Sequence, residues 1–316
     1  MDEFNILECA MRLKQWIIHT PLVEVDYWSE NLGCKVYVKL ENMQRTGAFK
    51  FRGAINFMLT ANPADAARGA ITASSGNHGL GLALSGKLLG YHSTVILPRT
   101  AARIKEERAI YYGAKVLRYG SDYEAAQEYA RTLAADQSLL YVPSFDHPAV
   151  IEGQGTILPE ILDDLPDTAI VLAPIGGGGL VSGLLRAKAQ LCSTVSIVGV
   201  QASGAAAMHK SLATGRLLTL DCAKTVATGV SARTPGKLTF AILQSAKTQV
   251  VLVEDDAIIA AQRELCQHAK VVAEPAGAVA VAALRAAGLP KTKGPIVCIV
   301  SGGNVDFSAS ENLFCS

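Results

Sequence analysis

The sequence predicts an α/β protein with two open, mainly parallel, twisted sheets covered by helices. Short β-branched runs alternate along the chain with stretches rich in alanine, leucine and glycine, each long enough for a crossover helix. Half of the 316 residues are hydrophobic and only 18% are charged, which is typical of a folded globular chain and not of a disordered one. The number of candidate strands favours two sheets over one.

Nine runs are candidate strands because each is apolar or β-branched and ends in a turn. They span residues 35–41, 69–74, 93–98, 114–120, 139–144, 169–176, 195–202, 248–255 and 295–303. In sheets of this kind ligands bind at the carboxyl ends of strands, in the loops that open helices. We therefore expect the functional residues to follow strands directly.

The first candidate strand leads into the segment QRTGAFKFRGA, residues 44–54. Here Lys50 stands between Phe49 and Phe51. A lysine among large apolar side chains is costly to desolvate unless its charge is lost or used. The simpler alternative is a lysine whose side chain reaches solvent from the start of a helix.

The second candidate strand is followed by ASSGNHGLG, a turn rich in hydrogen-bond donors. Ser74, Ser75, Asn77 and His78 surround Gly76 at a predicted helix start, and such a turn can bind a carboxylate. Capping of the helix by Ser75 or Asn77 explains the motif equally well when it is taken alone.

The strand at 169–176 runs into four consecutive glycines at the start of a predicted helix. The backbone of such a turn can approach a ligand closely, and its N–H groups can bind a phosphate. We therefore favour a phosphate site over the alternative of a merely flexible turn. A dinucleotide site is excluded by spacing, since the last glycine of that fingerprint would fall on Val181 or Ser182.

Ser301, with two glycines, ends the last candidate strand, and Glu274 precedes Pro275, where we expect its carboxylate to cap a helix. Neither motif is specific alone. Together with the phosphate turn and the carboxylate turn, however, Lys50 predicts a Schiff base with a phosphorylated aldehyde.

These motifs, in this order, resemble those of the fold type II pyridoxal-phosphate enzymes, which have the tryptophan synthase β-like fold. The resemblance is to the serine/threonine dehydratase and serine racemase group, and it extends from His19 to Asp306. The matching segments are KLENMQRTGAFKFRGA, SSGNHGLG, GQGT, GGGG, EPAGA and SGGN.

The resemblance implies a role for each site residue. Lys50 would be joined covalently to pyridoxal 5'-phosphate, and Phe49 would pack against the cofactor. Asn77 would bind the 3-oxygen of the pyridine ring, and Ser301 would face the ring nitrogen. The cofactor phosphate would be held by Gly176, Gly177, Gly178, Gly179 and Leu180.

The substrate carboxylate would lie in the turn of Ser74, Ser75, Asn77 and His78. The implied reaction is β-elimination, in which L-threonine or L-serine gives a 2-oxo acid and ammonia. A neutral Ser301 hydroxyl makes the ring a weaker electron sink than an aspartate would, which favours prompt elimination.

Other members of the group act differently, and the sequence leaves two alternatives open. One is a dehydratase of a bulkier or acidic β-hydroxy amino acid, such as phenylserine, 3-hydroxyaspartate or a hydroxyectoine-derived compound. The other is a racemase, in which Ser75 would return the proton to Cα as a second base.

Three departures from the family pattern carry expectations of their own. Ala48 replaces a serine that is common before the Phe-Lys pair. Arg233 follows a loop in which Thr228 replaces an aspartate. We expect Arg233 to be a solvated loop residue; the alternative is that it contacts the side chain of a substrate. Gln201 and Ala207 replace carboxylates of the metal-dependent members, so we expect no divalent metal.

A net charge of +1 gives no support for binding to nucleic acid or to a membrane surface. Seven dispersed cysteines and an acidic N-terminus without a signal-peptide pattern predict a cytoplasmic protein.

The resemblance implies a homodimer. It also implies a large cofactor domain, residues 1–67 and 147–316, and a small domain, 68–146. Because the chain ends soon after SGGNVD, we expect no C-terminal regulatory domain.

Overall fold

Two β-sheets surrounded by helices form the described part of the protein, a computed structural model covering residues 4–74, 76–101 and 103–306. The strands are β1 Leu22–Glu24, β2 Val36–Lys39, β3 Ala70–Ala73, β4 Ser93–Leu97, β5 Lys115–Arg118, β6 Leu140–Tyr141, β7 Ile170–Pro174, β8 Ser196–Ala202, β9 Val250–Val253 and β10 Ile296–Ile299. The helices are α1 Ile6–Leu13, α2 Asp26–Leu32, α3 Lys50–Thr60, α4 Pro63–Ala66, α5 Asn77–Leu89, α6 Arg103–Tyr111, α7 Tyr123–Asp136, α8 Pro148–Gly155, α9 Ile157–Asp164, α10 Gly179–Gln190, α11 Ala207–Thr214, α12 Lys237–Ser245, α13 Asp255–Glu264 and α14 Pro275–Ala282.

The larger sheet has six strands in the order β1-β2-β10-β7-β8-β9, and the smaller has four in the order β5-β4-β3-β6. Every pairing is parallel except that of β1 with β2. The predicted fold class is therefore confirmed. All nine candidate strands are present, with shorter bounds than the sequence suggested.

The strand that the sequence reading missed is β1, an antiparallel edge strand. It has only three residues, and its sequence, LVE, contains too few alternations to establish a period. Pairing with β2 forms this strand, so its signal lies in the tertiary structure.

Both faces of the larger sheet are buried, because neighbouring residues on a strand point to opposite sides. In β10, Ile296 and Cys298 pack into one apolar core, whereas Val297 and Ile299 pack into another. Consequently the sheet runs through the middle of the molecule. In the ranges described, no helix is long and apolar enough to cross a bilayer.

Candidate active site

A cavity lies at the carboxyl ends of β3, β7 and β10, where the two sheets face each other. The residues predicted for the cofactor and the substrate line it together, namely Phe49, Lys50, Ser74, Asn77, His78, Gly176, Gly177, Gly178, Gly179, Leu180 and Ser301. Ser75 lies outside the described residues. Ser74, Gly176 and Ser301 lie just beyond the ends of β3, β7 and β10, whereas Phe49 and Lys50 lie at the start of α3.

Lys50 is the first residue of α3 and extends into this cavity. Its Nζ donates a hydrogen bond to the carbonyl oxygen of Ser144 at 2.8 Å. The same atom lies 5.2 Å from the ring centre of Phe49 and 5.9 Å from that of Phe145. Burial lowers the pKa of Lys50 to about 8, so a substantial fraction of the amine is neutral near that pH.

The start of α3 is attached to the end of β10 by backbone contacts. Ala48 forms an antiparallel bridge with Gly302, and Phe49 N donates to Ser301 O at 3.1 Å. Ala48 is fully buried, which gives its small side chain a packing role at this bridge. These contacts fix the position of Lys50 relative to Ser301.

A buried ion network holds the next part of α3. Arg52 is fully buried and donates from Nε and Nη2 to Glu41, both at 2.8 Å. It also donates to Glu160 of α9 from Nη1 at 2.7 Å and from Nη2 at 2.9 Å. Lys39 Nζ joins the network at 2.8 Å from Glu160. Burial opposes the Arg52 charge, but these two carboxylates raise the pKa of its guanidinium, which therefore stays protonated.

The glycine turn requires glycine for reasons that the structure makes explicit. Gly178 has φ of +101°, and a Cβ there would lie 2.7 Å from Met208 Cε. A Cβ on Gly177 would lie 2.4 Å from the ring of Phe145. Within the described ranges, no side chain caps α10, which begins at Gly179. The first N–H groups of this helix are therefore available to an anion in the cavity.

The turn after β3 is built differently from a capped helix start. Gly76 occupies the cap position of α5 and has no side chain that could cap the helix. Its own N–H donates to Ser74 Oγ at 3.0 Å. His78 is buried, with Nε2 3.3 Å from the carbonyl oxygen of Val142. Burial, with a contribution from Lys50, lowers the pKa of His78 to about 3, so the imidazole is neutral.

The tautomer of His78 follows from its partner. A carbonyl oxygen can only accept, so Nε2 carries the proton and Nδ1 presents a lone pair. Among the described residues, the buried Nδ1 has no hydrogen-bond partner. An unpartnered buried acceptor beside Lys50 is typical of a site that is completed by a ligand.

Asn77 is held from two sides. Its Nδ2 donates to Glu274 Oε1, and its Oδ1 accepts from Asn304 Nδ2 at 2.8 Å. Arg108 of α6 in turn donates to Asn304 Oδ1. The capping role expected for Glu274 is wrong, because its side chain makes no cap hydrogen bond to α14 and binds Asn77 instead. Burial raises the pKa of Glu274, whereas Lys105, the Asn77 hydrogen bond and Arg108 act in the opposite direction.

Ser301 also lines the cavity and is buried. Its hydroxyl donates to the carbonyl oxygen of Ala276 at 3.2 Å. The hydroxyl is neutral, so Ser301 itself offers no negative charge to a group bound in the cavity.

Several residues that line the cavity were missed in the sequence, among them Lys105, Tyr123, Ser144 and Phe145. Ser144 and Phe145 lie in the loop that follows β6, so the rule that ligands bind beyond strand ends could have found them. Lys105 and Tyr123 come from α6 and α7, where nothing in the local sequence distinguishes them from surface residues.

Of the remaining departures, Thr228 lines the cavity and Arg233 lines the chamber beside it. Arg233 is half-exposed, and its Nε donates to Leu220 O at 2.9 Å across the loop. The buried Gln201 accepts from His209 N at 3.0 Å through Oε1. In the described part of the chain, no three His, Cys, Asp or Glu side chains are grouped as metal ligands would be.

Comparison with known proteins places the chain in a family. The model of the family described as pyridoxal-phosphate dependent enzyme matches residues 13–302. The chain is 42% identical over 302 residues to an L-threonine ammonia-lyase of Geobacter sulfurreducens, covering 95% of this chain and 75% of that protein. It is 36% identical over 311 residues to a catabolic L-threonine dehydratase of Escherichia coli, covering 98% and 94%. The protein belongs to the pyridoxal-phosphate dependent enzymes.

Solved structures agree with this assignment. The processed form of threonine deaminase isoform 2 from Solanum lycopersicum has a TM-score of 0.91 and 37% identity, over 96% of this chain and 85% of that one. Maize serine racemase also has a TM-score of 0.91, with 31% identity over 96% and 93%. The predicted tryptophan synthase β-like fold, fold type II, is confirmed by this likeness.

The residues of the cavity fit pyridoxal phosphate. The uncapped glycine turn suits the phosphate, because a Cβ at any of several positions there would fill the space the backbone leaves. Lys50 provides an amine with a lowered pKa in the same cavity. Asn77 and Ser301 add uncharged polar groups to the lining of this cavity.

Proposed function

We propose that the protein is an ammonia-lyase that uses pyridoxal phosphate to convert a small β-hydroxy amino acid, L-threonine or L-serine, into a 2-oxo acid and ammonia. The observation that carries the proposal is Lys50, whose amine has a pKa near 8 and lies in one cavity with an uncapped glycine turn. The identities of 36–42% to L-threonine lyases and dehydratases support the choice of substrate.

Pyridoxal phosphate, when bound, supplies an electron-withdrawing ring that stabilises negative charge at Cα of an amino acid. Lys50 is the proposed point of attachment, and its neutral amine would also be the base that removes the Cα proton. Its lowered pKa suits both tasks, because each needs the neutral amine.

The other proposed roles follow the positions around the cavity. Gly176, Gly177, Gly178, Gly179 and Leu180 bind the phosphate through backbone N–H groups. Phe49 would pack on the ring, Asn77 would bind the ring oxygen, and Ser301 would face the ring nitrogen. Ser74, Ser75, Asn77 and His78 bind the substrate carboxylate.

The neutral Ser301 hydroxyl has a consequence for the choice of reaction. It cannot hold a proton on the ring nitrogen as a carboxylate would, so the negative charge at Cα is stabilised less. Loss of the β-hydroxyl would then be faster than reactions that need a long-lived negative charge at Cα.

A racemase remains the second candidate, favoured by the likeness to maize serine racemase. Elimination and racemisation share Lys50 as the first base. Racemisation additionally needs a group on the opposite face to return the proton, the role proposed for Ser75. The two activities are separated by their products.

The assay measures 2-oxo acid release from a panel of β-hydroxy amino acids by the cofactor-loaded protein, with EDTA and with magnesium in parallel. We expect turnover of L-threonine or L-serine that is indifferent to both additions, because Gln201 and Ala207 offer no carboxylates to a cation. Release of oxo acid only from phenylserine or 3-hydroxyaspartate would replace the proposed substrate. Loss of optical rotation without oxo acid would favour the racemase.

Lys50→Ala is the matched variant. It should lose the absorbance of the covalently bound cofactor together with the activity, because the proposed amine is absent. Unchanged cofactor absorbance in this variant would refute the role of Lys50.

We further propose the division into a large cofactor domain, residues 1–67 and 147–316, and a small domain, 68–146. All four strands of the smaller sheet fall within 68–146, which supports these limits. Limited proteolysis should cut first near residues 67 and 147; a stable fragment that crosses either boundary would contradict the division.

The dispersed cysteines support a cytoplasmic location, which fractionation of the source cells would test.

A further inference from the structure

Lys105 is the feature of the cavity that neither the sequence motifs nor the proposed roles explain. It lies in α6 and reaches the cavity from the side of the smaller sheet. A Cβ built on Gly76 would lie 2.9 Å from both Cδ and Nζ of Lys105. The ammonium group therefore lies directly against the backbone of the turn that follows β3.

The charge of Lys105 is not neutralised by a neighbour. Within residues 4–74, 76–101 and 103–306, no ion pair shorter than 4.0 Å includes Lys105. Glu274 is near enough to feel its charge, but that carboxyl already accepts from Asn77 and is also influenced by Arg108. A half-buried ammonium that faces a cavity and makes no direct ion pair can bind an anion that enters there.

The surroundings of Lys105 offer an anion several donors at once. Gly76 occupies the cap position of α5 and has no side chain that could cap the helix. The N–H groups of the first helical turn are therefore available to an anion near Gly76, where the Lys105 ammonium lies. A positive side chain and neutral N–H donors converging on one point are the arrangement that binds a carboxylate.

Lys105 also lies where a substrate would enter. It lines the inner cavity and an adjoining outer chamber, and it shares both with Tyr123, Thr228 and Ser231. An anionic ligand passing from the outer chamber to Lys50 would meet this ammonium on its way.

We propose that Lys105 binds the α-carboxylate of the amino-acid substrate and supplies the positive charge that the turn at Ser74–His78 lacks. This inference rests on the proposed function, since it needs an amino acid as the ligand. Lys105 is a binding residue in this assignment, and the chemical step remains with Lys50.

The test uses the cofactor-loaded protein and two probes. L-alanine has the α-carboxylate but no β-hydroxyl to eliminate, and L-alaninamide lacks the carboxylate. Both are titrated while the absorbance of the bound cofactor is followed, which gives a dissociation constant without turnover. The variants are Lys105→Met, Lys105→Arg and, as a matched control, Lys115→Met, which removes an exposed lysine on β5.

We expect Lys105→Met to weaken L-alanine binding roughly 10- to 100-fold, the range for a charge-assisted hydrogen bond. Its affinity for L-alaninamide should stay that of the wild type, which also shows that the variant is folded. Lys105→Arg should restore most of the affinity for L-alanine, and Lys115→Met should change neither constant.

The outcomes separate this inference from the proposed function. A Lys105→Met protein that binds L-alanine like the wild type, or that loses both probes equally, would overturn the role of Lys105 alone. A wild-type protein that responds to neither probe would overturn the proposed function itself.

Discussion

At the scale of single residues, Lys50 shows how position decides chemistry. Surface lysines are cationic at every physiological pH, whereas burial lowers the pKa of Lys50 to about 8. The two flanking rings, Phe49 and Phe145, form its apolar surroundings. Of these two rings, only Phe49 could be predicted from the sequence around Lys50, because Phe145 belongs to a loop that is distant along the chain.

The lowered pKa predicts how the cofactor is taken up. Only the neutral amine attacks an aldehyde, so covalent incorporation of pyridoxal phosphate into the cofactor-free protein should quicken about tenfold per pH unit until the pH reaches the pKa. The rise should level off near pH 8. Stopped-flow absorbance measures this rate. The control is free lysine whose α-amino group is blocked, so that only its side-chain amine reacts. A rate that still rises at pH 10, as for that control, would contradict the lowered pKa.

Gly178 gives a second prediction at this scale. Gly178→Ala should destabilise the fold by about 1–2 kcal/mol, because φ of +101° disfavours any side chain. The new Cβ would also press on Met208 and Thr239. Thr239 Oγ1 donates to Gly177 O at 2.6 Å, so the glycine turn would shift and cofactor affinity should fall roughly tenfold or more.

Gly90→Ala is the control for Gly178→Ala. Gly90 ends α5 with φ of +76°, and nothing lies within 4 Å of its Cβ position. Both variants should lose stability in thermal unfolding, and Gly178→Ala should lose more because of its contacts with Met208 and Thr239. Only Gly178→Ala should lose cofactor affinity in equilibrium dialysis. Equal cofactor affinity in both would show that the glycine turn does not hold the phosphate.

At the scale of elements, α3 is positioned by ions that lie behind the cavity. Arg52 joins α3 to α9 through Glu160 and to the end of β2 through Glu41. Arg52→Met should cost about 3–5 kcal/mol, because it removes the buried cation from Glu41 and leaves Glu160 with Lys39 alone. Arg68→Met, which breaks an exposed pair with Asp65, should cost at most about 1 kcal/mol. Chemical denaturation measures both; equal losses would rule out the buried network as the main anchor.

The same network sets an acid limit. Burial opposes the charge of Glu160, but Arg52 and Lys39 lower its pKa below the ordinary value. A carboxyl whose pKa is lower in the folded state stabilises the fold above the ordinary carboxyl pKa, and this stability is lost as the pH falls through the folded-state value. Arg52→Met should therefore also show a weaker decline of stability in acid than the wild type.

The sequence predicted elements better where their signal was local. β7 and β10 are four to five apolar residues followed by glycines, so both strand and turn were found. β1 was missed because its three residues become a strand only by pairing with β2. Likewise, the partner of Asn77 was missed because Glu274 is 197 residues away and its neighbouring proline suggested a cap.

At the scale of the whole molecule, the cavity is assembled from both sheets. Lys50, the glycine turn and Ser301 adjoin the larger sheet, whereas Ser74 and His78 follow β3 of the smaller one. Motif order along the chain predicted which residues belong to the site. It did not predict Lys105 or Tyr123, since the side chain that a surface helix presents to a distant sheet depends on how the layers pack.

We also propose that two copies associate. Met11 and Tyr111 have 72% and 74% of their surface exposed in the single chain, which supports burial of such apolar side chains in an interface. Sedimentation equilibrium of the cofactor-loaded protein should give twice the chain mass of 33.3 kDa. A single-chain mass at micromolar concentration would contradict the homodimer.

The buried ion network has one more consequence, for the register of α3. Lys50 and Arg52 are two residues apart, yet one cation loses its proton readily and the other is kept charged by Glu41 and Glu160. An amine transplanted from position 50 to position 52 would meet those carboxylates and stay protonated, unable to act as a nucleophile. A reactive lysine therefore cannot be moved by two residues along α3 and keep its reactivity. A redesign of this site has to keep the lysine at position 50.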